Sequence, residues 1–276
     1  MGNVFKSAVK EETFLLDHSD QRNLVSSQWP LGFKTWLLYR SITMLYLLGL
    51  LIVAFVDKFM RYQWKFFTFL THWGFLMFVL NHLIKWICLI KYKKWFTQHN
   101  LTDISKEETP LLAHQQPWLT NPKDKNHSLL SISWVVANIA NPLAILITIN
   151  YWPGGAGLTF ENLQGILNFQ LHGVNVAMAM LDMILVAQPT LLLHFYQPIL
   201  FFYSYVSFTA FYYVAGGKSK EGTTAIYNFL DWAKPNQTLI NMSMMGLQVL
   251  LIHTTLWLFA ILRNNIAAWI QKKNLV

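Results

Sequence analysis

Charge is scarce in this chain. Only 12% of its 276 residues are charged, and Cys88 is its single cysteine. One cysteine excludes an intramolecular disulfide framework and any metal site built on several thiolates. The charges fall between long apolar runs, so those runs lack the polar face of a helix that lies on a soluble core. The first 35 residues are polar and contain no short apolar stretch of signal-peptide type, which leaves the first apolar run as the expected insertion signal. Lys6 stands where a myristoylation motif needs Ser or Thr. No internal repeat or low-complexity tract is visible.

Apolar residues are abundant, at 54%, and aromatics reach 16%. A membrane-spanning helix needs about 20 mostly apolar residues. Six stretches meet that need: Trp36–Val56, Phe66–Ile90, Leu129–Ile149, Asn168–Val186, Phe195–Ala215 and Leu239–Leu262. The expected fold class is therefore all-α, a polytopic membrane bundle of about six transmembrane helices. Its expected organisation is an N-terminal arm over 1–35, a six-helix domain over 36–262 and a tail over 263–276. Trp29, Trp36, Trp64, Trp95, Tyr151, Trp152 and Trp232 lie near segment ends, as an interfacial belt requires.

Lys and Arg orient the bundle. The N-terminal arm holds four, the second loop six, the fourth loop none and the tail three, together 13 on one side; the loops of the other side hold 6. The positive-inside rule then makes both termini cytoplasmic, in the plasma membrane or the endoplasmic reticulum. Two sequons in the second loop, at Asn100 and Asn126, point the other way. The net charge of +8 suits an anionic lipid surface beside Lys91, Lys93 and Lys94. No basic stripe exists apart from these flanks, so nucleic acid is not an expected partner. Membrane lipid is.

Polar side chains inside the spans are costly and need an explanation. The second segment carries Thr71, His72, Asn81, His82 and Lys85; the fourth carries His172, Asn175 and Asp182. With both segments running from the outer side inward, Thr71 and His172 lie about 5 and 4 residues below their expected helix starts, at about 1.5 Å per residue. His82 follows Thr71 by 11 residues and Asp182 follows His172 by 10. Two polar layers result: Thr71 with His172 outside, and His82 or Lys85 with Asp182 inside. The inner layer reads as a structural polar pair. The outer layer reads as ordinary helix hydrogen bonding or as a hydroxyl–imidazole pair for covalent acyl transfer. His82, His172, His194 and His253 also raise a haem reading, which needs two histidines facing at one depth; no cofactor or metal is the expectation.

Along its length the chain resembles the rolling stone family of multi-pass membrane proteins associated with myoblast fusion. The residues that carry this include Ser27-Gln28-Trp29, Leu38-Tyr39-Arg40, Leu70-Thr71-His72-Trp73-Gly74 and Ile149-Asn150-Tyr151-Trp152. They continue through His172-Gly173-Val174-Asn175, Leu181-Asp182, the stretch from Leu193 to Leu200, Gly216-Gly217 and the stretch from Ala225 to Trp232. More distantly it is similar to the androgen-induced-gene family of hydrolases, which cleave fatty acid esters of hydroxy fatty acids with a threonine and a histidine. That family's Phe-Leu-Thr context matches Phe69-Leu70-Thr71. Its histidine follows a Leu-Asn pair and precedes an acidic residue by ten positions, as Leu167-Asn168, His172 and Asp182 do here. Asp182 stands in place of that family's Glu, and His72-Trp73 departs from it. The second resemblance implies Thr71 as nucleophile and His172 as general base, with Thr68 as a competing alignment. Asn175 and Trp73 are the expected substrate-binding residues, for a fatty-acyl ester. The first resemblance implies instead a non-enzymatic role in cell fusion, through outer loops containing Tyr151 to Gly155 and Leu230-Asp231-Trp232.

Overall fold

The computed structural model describes residues 14, 16, 21–91, 93, 128–152, 160–219 and 221–273. Asn100 and Asn126 of the two sequons, Lys94, Trp95 and Pro153 to Gly155 lie outside the described residues. Among the described residues six long helices form one bundle: α1 (Phe33–Tyr62), α2 (Leu70–Lys91), α3 (Ser128–Tyr151), α4, α5 (Tyr196–Val214) and α6 (Pro235–Lys273). α4 is a continuous run of Leu163–Phe169, a π turn at Gln170–Val174, and Asn175–Leu185. Among the described residues four helices are long and apolar enough to cross a membrane, namely those starting at Phe33, Leu70, Ser128 and Pro235. The other two expected segments are also helical and complete the bundle.

α1 is built inside out relative to a soluble helix. Leu38, Ile42, Leu45, Ile52 and Val56 are exposed, while Arg40, Thr43 and Lys58 turn inward and are buried. The apolar stripe fits lipid, and the inward polar stripe must be satisfied by protein. α1 extends past its expected end at Val56, so Lys58 and Arg61 are helical rather than loop residues. It stops at Gln63, whose positive φ of 52° ends the α-helical ladder. A 3₁₀ turn, Gln63–Thr68, then leads into α2.

α3 is the centre, packed against α2, α4, α5 and α6. Pro142 lies within it and cannot donate to the Asn138 carbonyl one turn back. The Asn138 amide instead reaches α5 and the turn before it, at Gln197 Oε1 (3.0 Å) and His194 Nδ1 (3.2 Å). α4 begins five residues earlier than expected because the Asn162 side chain accepts from Gly165 N and caps it. The N-terminal arm is tied to the end of α4: Gln28 N donates to Leu185 O, and Ala187 N to Ser26 O.

Between α5 and α6 the chain makes a short hairpin, β1 (Ala225–Tyr227) and β2 (Leu230–Asp231), antiparallel with an irregularity after Ala225. Gly216, at φ +80°, supplies the left-handed residue that ends α5. Asp231 organises the hairpin by accepting from Thr224 Oγ1 and Ala233 N, while Asn241 on α6 donates to Phe229 O. Trp232 Nε1 donates to Thr209 Oγ1 on α5. The hairpin is thereby fastened over one end of the bundle.

Candidate active site

Thr71 is the second residue of α2, not five residues into it, because Phe66 to Thr68 are 3₁₀ rather than α-helical. The first N–H groups of a helix have no partner within it. Here Tyr227, reaching down from the hairpin, accepts from Leu70 N at 2.9 Å. The same phenol stands beside Thr71 and the Tyr205 hydroxyl. Burial raises the Tyr227 phenol above its ordinary pKa, and the neighbouring Leu70 and Thr71 groups pull it back down.

His172 sits in the π turn of α4. Asn175 N donates to Gln170 O across this wider turn, and Thr148 Oγ1 on α3 donates to His172 O at 2.6 Å. Such single π turns recur at functional sites because they re-aim a side chain. The His172 imidazole lies flat on the Tyr151 ring, with centroids 3.6 Å apart and planes 4° apart. Its Nδ1 is buried and has no hydrogen-bond partner among the described residues.

Thr71 and His172 line the same two adjoining cavities. One, of about 200 Å³, is mostly apolar and bounded by Leu70, Ile147, Phe202, Met242 and Met245, with Tyr205 and Tyr227 as polar tips. The other, of about 750 Å³, is a more polar vestibule that includes Lys58, His72, Gln164, Asn168 and Glu221. Thr71, Asn150, Tyr151, His172, Tyr227 and Phe229 border both. A hydroxyl and an imidazole thus stand at the junction of an apolar chamber and a polar mouth.

The other expected site residues lie elsewhere. Trp73 donates to Phe67 O at 2.7 Å and packs its ring on Phe201, Tyr205 and Phe208, so it joins α2 to α5 instead of lining these cavities. Asn175 is buried and borders neither cavity; the π turn between it and His172 separates their faces. Thr68 is buried with its hydroxyl on Lys65 O, and it too borders neither. Of the four histidines of the haem reading, His194 and His253 bond Asn138 and Leu191 O respectively.

In the inner layer Asp182 accepts from Lys85 Nζ at 2.7 Å, with His82 Nε2 at 4.0 Å. Its second close partner, Arg40 Nη1, comes from α1. Arg40 is the residue missed by pairing only the second and fourth segments; matching depths on the first would have found it. Arg263 of α6 adds bonds to the carbonyls of Met183, Val186 and Gln188 beside this cluster.

The family model for Protein rolling stone matches residues 4–268. The chain belongs to the rolling stone family. Protein rolling stone of Drosophila melanogaster is 27% identical over 206 residues, covering 74% of this chain and 69% of that protein. No solved structure matches. In this rolling stone family member, several residues shared in the resemblance converge on one place: Asn150 and Tyr151 from α3, His172 from α4, and Tyr227 from the hairpin. Tyr151 reads in sequence as an interfacial anchor. Its contact with His172 exists only once α3 and α4 are packed. Leu230 is buried, while Asp231 and Trp232 are partly exposed and also hydrogen-bonded within the protein.

Proposed function

We propose that this rolling stone family member is an intramembrane lipid ester hydrolase, acting on fatty-acyl esters such as fatty acid esters of hydroxy fatty acids. The observation that carries the reading is the shared wall: Thr71 and His172 border one apolar chamber and one polar vestibule. The likeness of Phe69-Leu70-Thr71 and Leu167-Asn168…His172 to the androgen-induced-gene hydrolases supports it. The apolar chamber suits an acyl chain, since such sites are mostly apolar with a few placed polar groups.

In the proposed reaction His172 accepts the Thr71 proton while Thr71 Oγ1 attacks the ester carbonyl carbon. Tyr227, its oxygen already accepting from Leu70 N, offers its O–H to the developing oxyanion. The carbon–oxygen bond to the alcohol breaks, and His172 returns the proton to the departing oxygen. Water then enters from the vestibule and gives a proton to His172. The resulting hydroxide attacks the acyl-threonine, which releases the fatty acid and restores Thr71 with the proton from His172.

Purified protein incubated with labelled branched fatty-acid esters tests this directly. Release of free fatty acid, lost in Thr71→Ala and in His172→Ala that still melt cooperatively, is the expected result. Equal release by wild type and both variants would end the proposal.

A further inference from the structure

The apolar chamber has a closed end. Ile147 of α3, Phe202 of α5, and Met242 and Met245 of α6 border it, and none is more than 7% exposed. Met242 and Met245 are three residues apart, so they share one face of α6. One turn farther from the hairpin on α3 and α6, Leu143 and Val249 are fully buried and no longer border the space. All six side chains belong to one packed core. The seam between α5 and α6 is shut beside Phe202 and Met245. A Cβ on Gly246 would lie 2.5 Å from the Tyr203 hydroxyl oxygen, so the two helices touch where a chain would have to pass to reach the bilayer. A tail that enters past Thr71 and His172 therefore meets packed side chains before it meets lipid.

Carbons that do not fit must extend back through the junction into the vestibule, whose wall includes His72, Gln164 and Asn168. Apolar surface left in polar surroundings is unfavourable by about fourfold in affinity for each methylene. The two spaces are also unequal, about 200 Å³ for the chamber and about 750 Å³ for the vestibule. We propose that Phe202 and Met245 are the end stop of an acyl-length ruler. The site takes esters whose acyl chain is no longer than the chamber, and the alcohol component occupies the larger vestibule. This rests on the reading of Thr71 and His172 as an ester-cleaving pair and adds to it the selectivity for substrate.

Straight-chain alkanols from hexanol to octadecanol test the ruler without hydrolysis. Each is added at equal mole fraction in the detergent micelle to the purified full chain, and occupancy is counted by native mass spectrometry. Carbons inside the chamber exchange one apolar surrounding for another, so occupancy should hold level with length. Past the length of the chamber it should break and fall about fourfold for each further carbon. Phe202→Ala and Met245→Ala should each move the break to longer alkanols. Damage to the fold lowers occupancy at every length and does not produce that shift, and binding of hexanol reports that a variant is folded. A level profile through octadecanol in wild type overturns the ruler, as does a break that stays in place in both variants. Ester cleavage with an unbroken alkanol profile would sink the ruler alone. A break that moves in the variants, with no cleavage of any ester, would sink the hydrolase reading alone.

Discussion

The imidazole of His172 rests face to face on the ring of Tyr151, 3.6 Å between centroids, while its Nδ1 has no hydrogen-bond partner among the described residues. The stack fixes the plane of the histidine without using its nitrogen. Thr148 holds the backbone at the same point by bonding the His172 carbonyl. The ring and the backbone of His172 are thus held by different neighbours.

That division predicts the behaviour of Tyr151→Leu. Removing the ring should let the imidazole turn and lower kcat for ester cleavage about tenfold or more, since small misplacements of a catalytic group are expensive. KM should change little. Steady-state kinetics with a labelled ester decide it: an unchanged kcat would mean that the stack does not position His172.

The two candidate nucleophiles are separable. Thr68→Ala should retain most of the ester cleavage because its hydroxyl is spent on Lys65 O, away from both cavities. Thr71→Ala should lose at least about 100-fold, the lower range for removal of a catalytic group. The reverse order of effects would move the nucleophile one helical turn.

Asp182 is the acid between Arg40 and Lys85, both buried. Asp182→Ala should strand two cations and cost about 3–5 kcal/mol, the usual penalty for breaking a buried pair from one side. Thermal melting in detergent should report a clear loss, larger than that of Lys85→Met, which leaves Arg40 on the carboxylate. Wild-type stability in Asp182→Ala would mean that water serves the cations equally well.

Gly217 closes the base of the hairpin. A Cβ there would lie 2.5 Å from the Tyr212 carbonyl oxygen, a backbone atom that cannot swing aside. Gly217→Ala should destabilise by about 1–3 kcal/mol, as overpacking does, and should loosen the hairpin that brings Tyr227 to α2. Hydrogen exchange at residues 221–234 should rise relative to wild type; unchanged protection would mean that the hairpin is held from α6 alone.

The charge asymmetry of 13 against 6 Lys and Arg predicts cytoplasmic termini. Antibody access to tags at Met1 and Val276 should require permeabilisation. Glycosylation at Asn126 in cells would reverse the orientation.

Apolar length and the scarcity of charge by themselves determined that this chain is a helical membrane bundle, because hydrocarbon admits few alternatives to a self-satisfied helix. Residue spacing also revealed that Asp182 could meet Lys85, since depth along a helix is linear in sequence. Tertiary structure alone decided the rest. The 3₁₀ turn before α2 moved Thr71 to a helix start. The π turn carried His172 and Asn175 to different surroundings. The Arg40–Asp182 pair joins residues 142 positions apart, and Tyr227 reaches Leu70 across 157. Turn type and side-chain direction depend on which neighbour accepts each freed backbone group, and those neighbours become adjacent only when the helices pack.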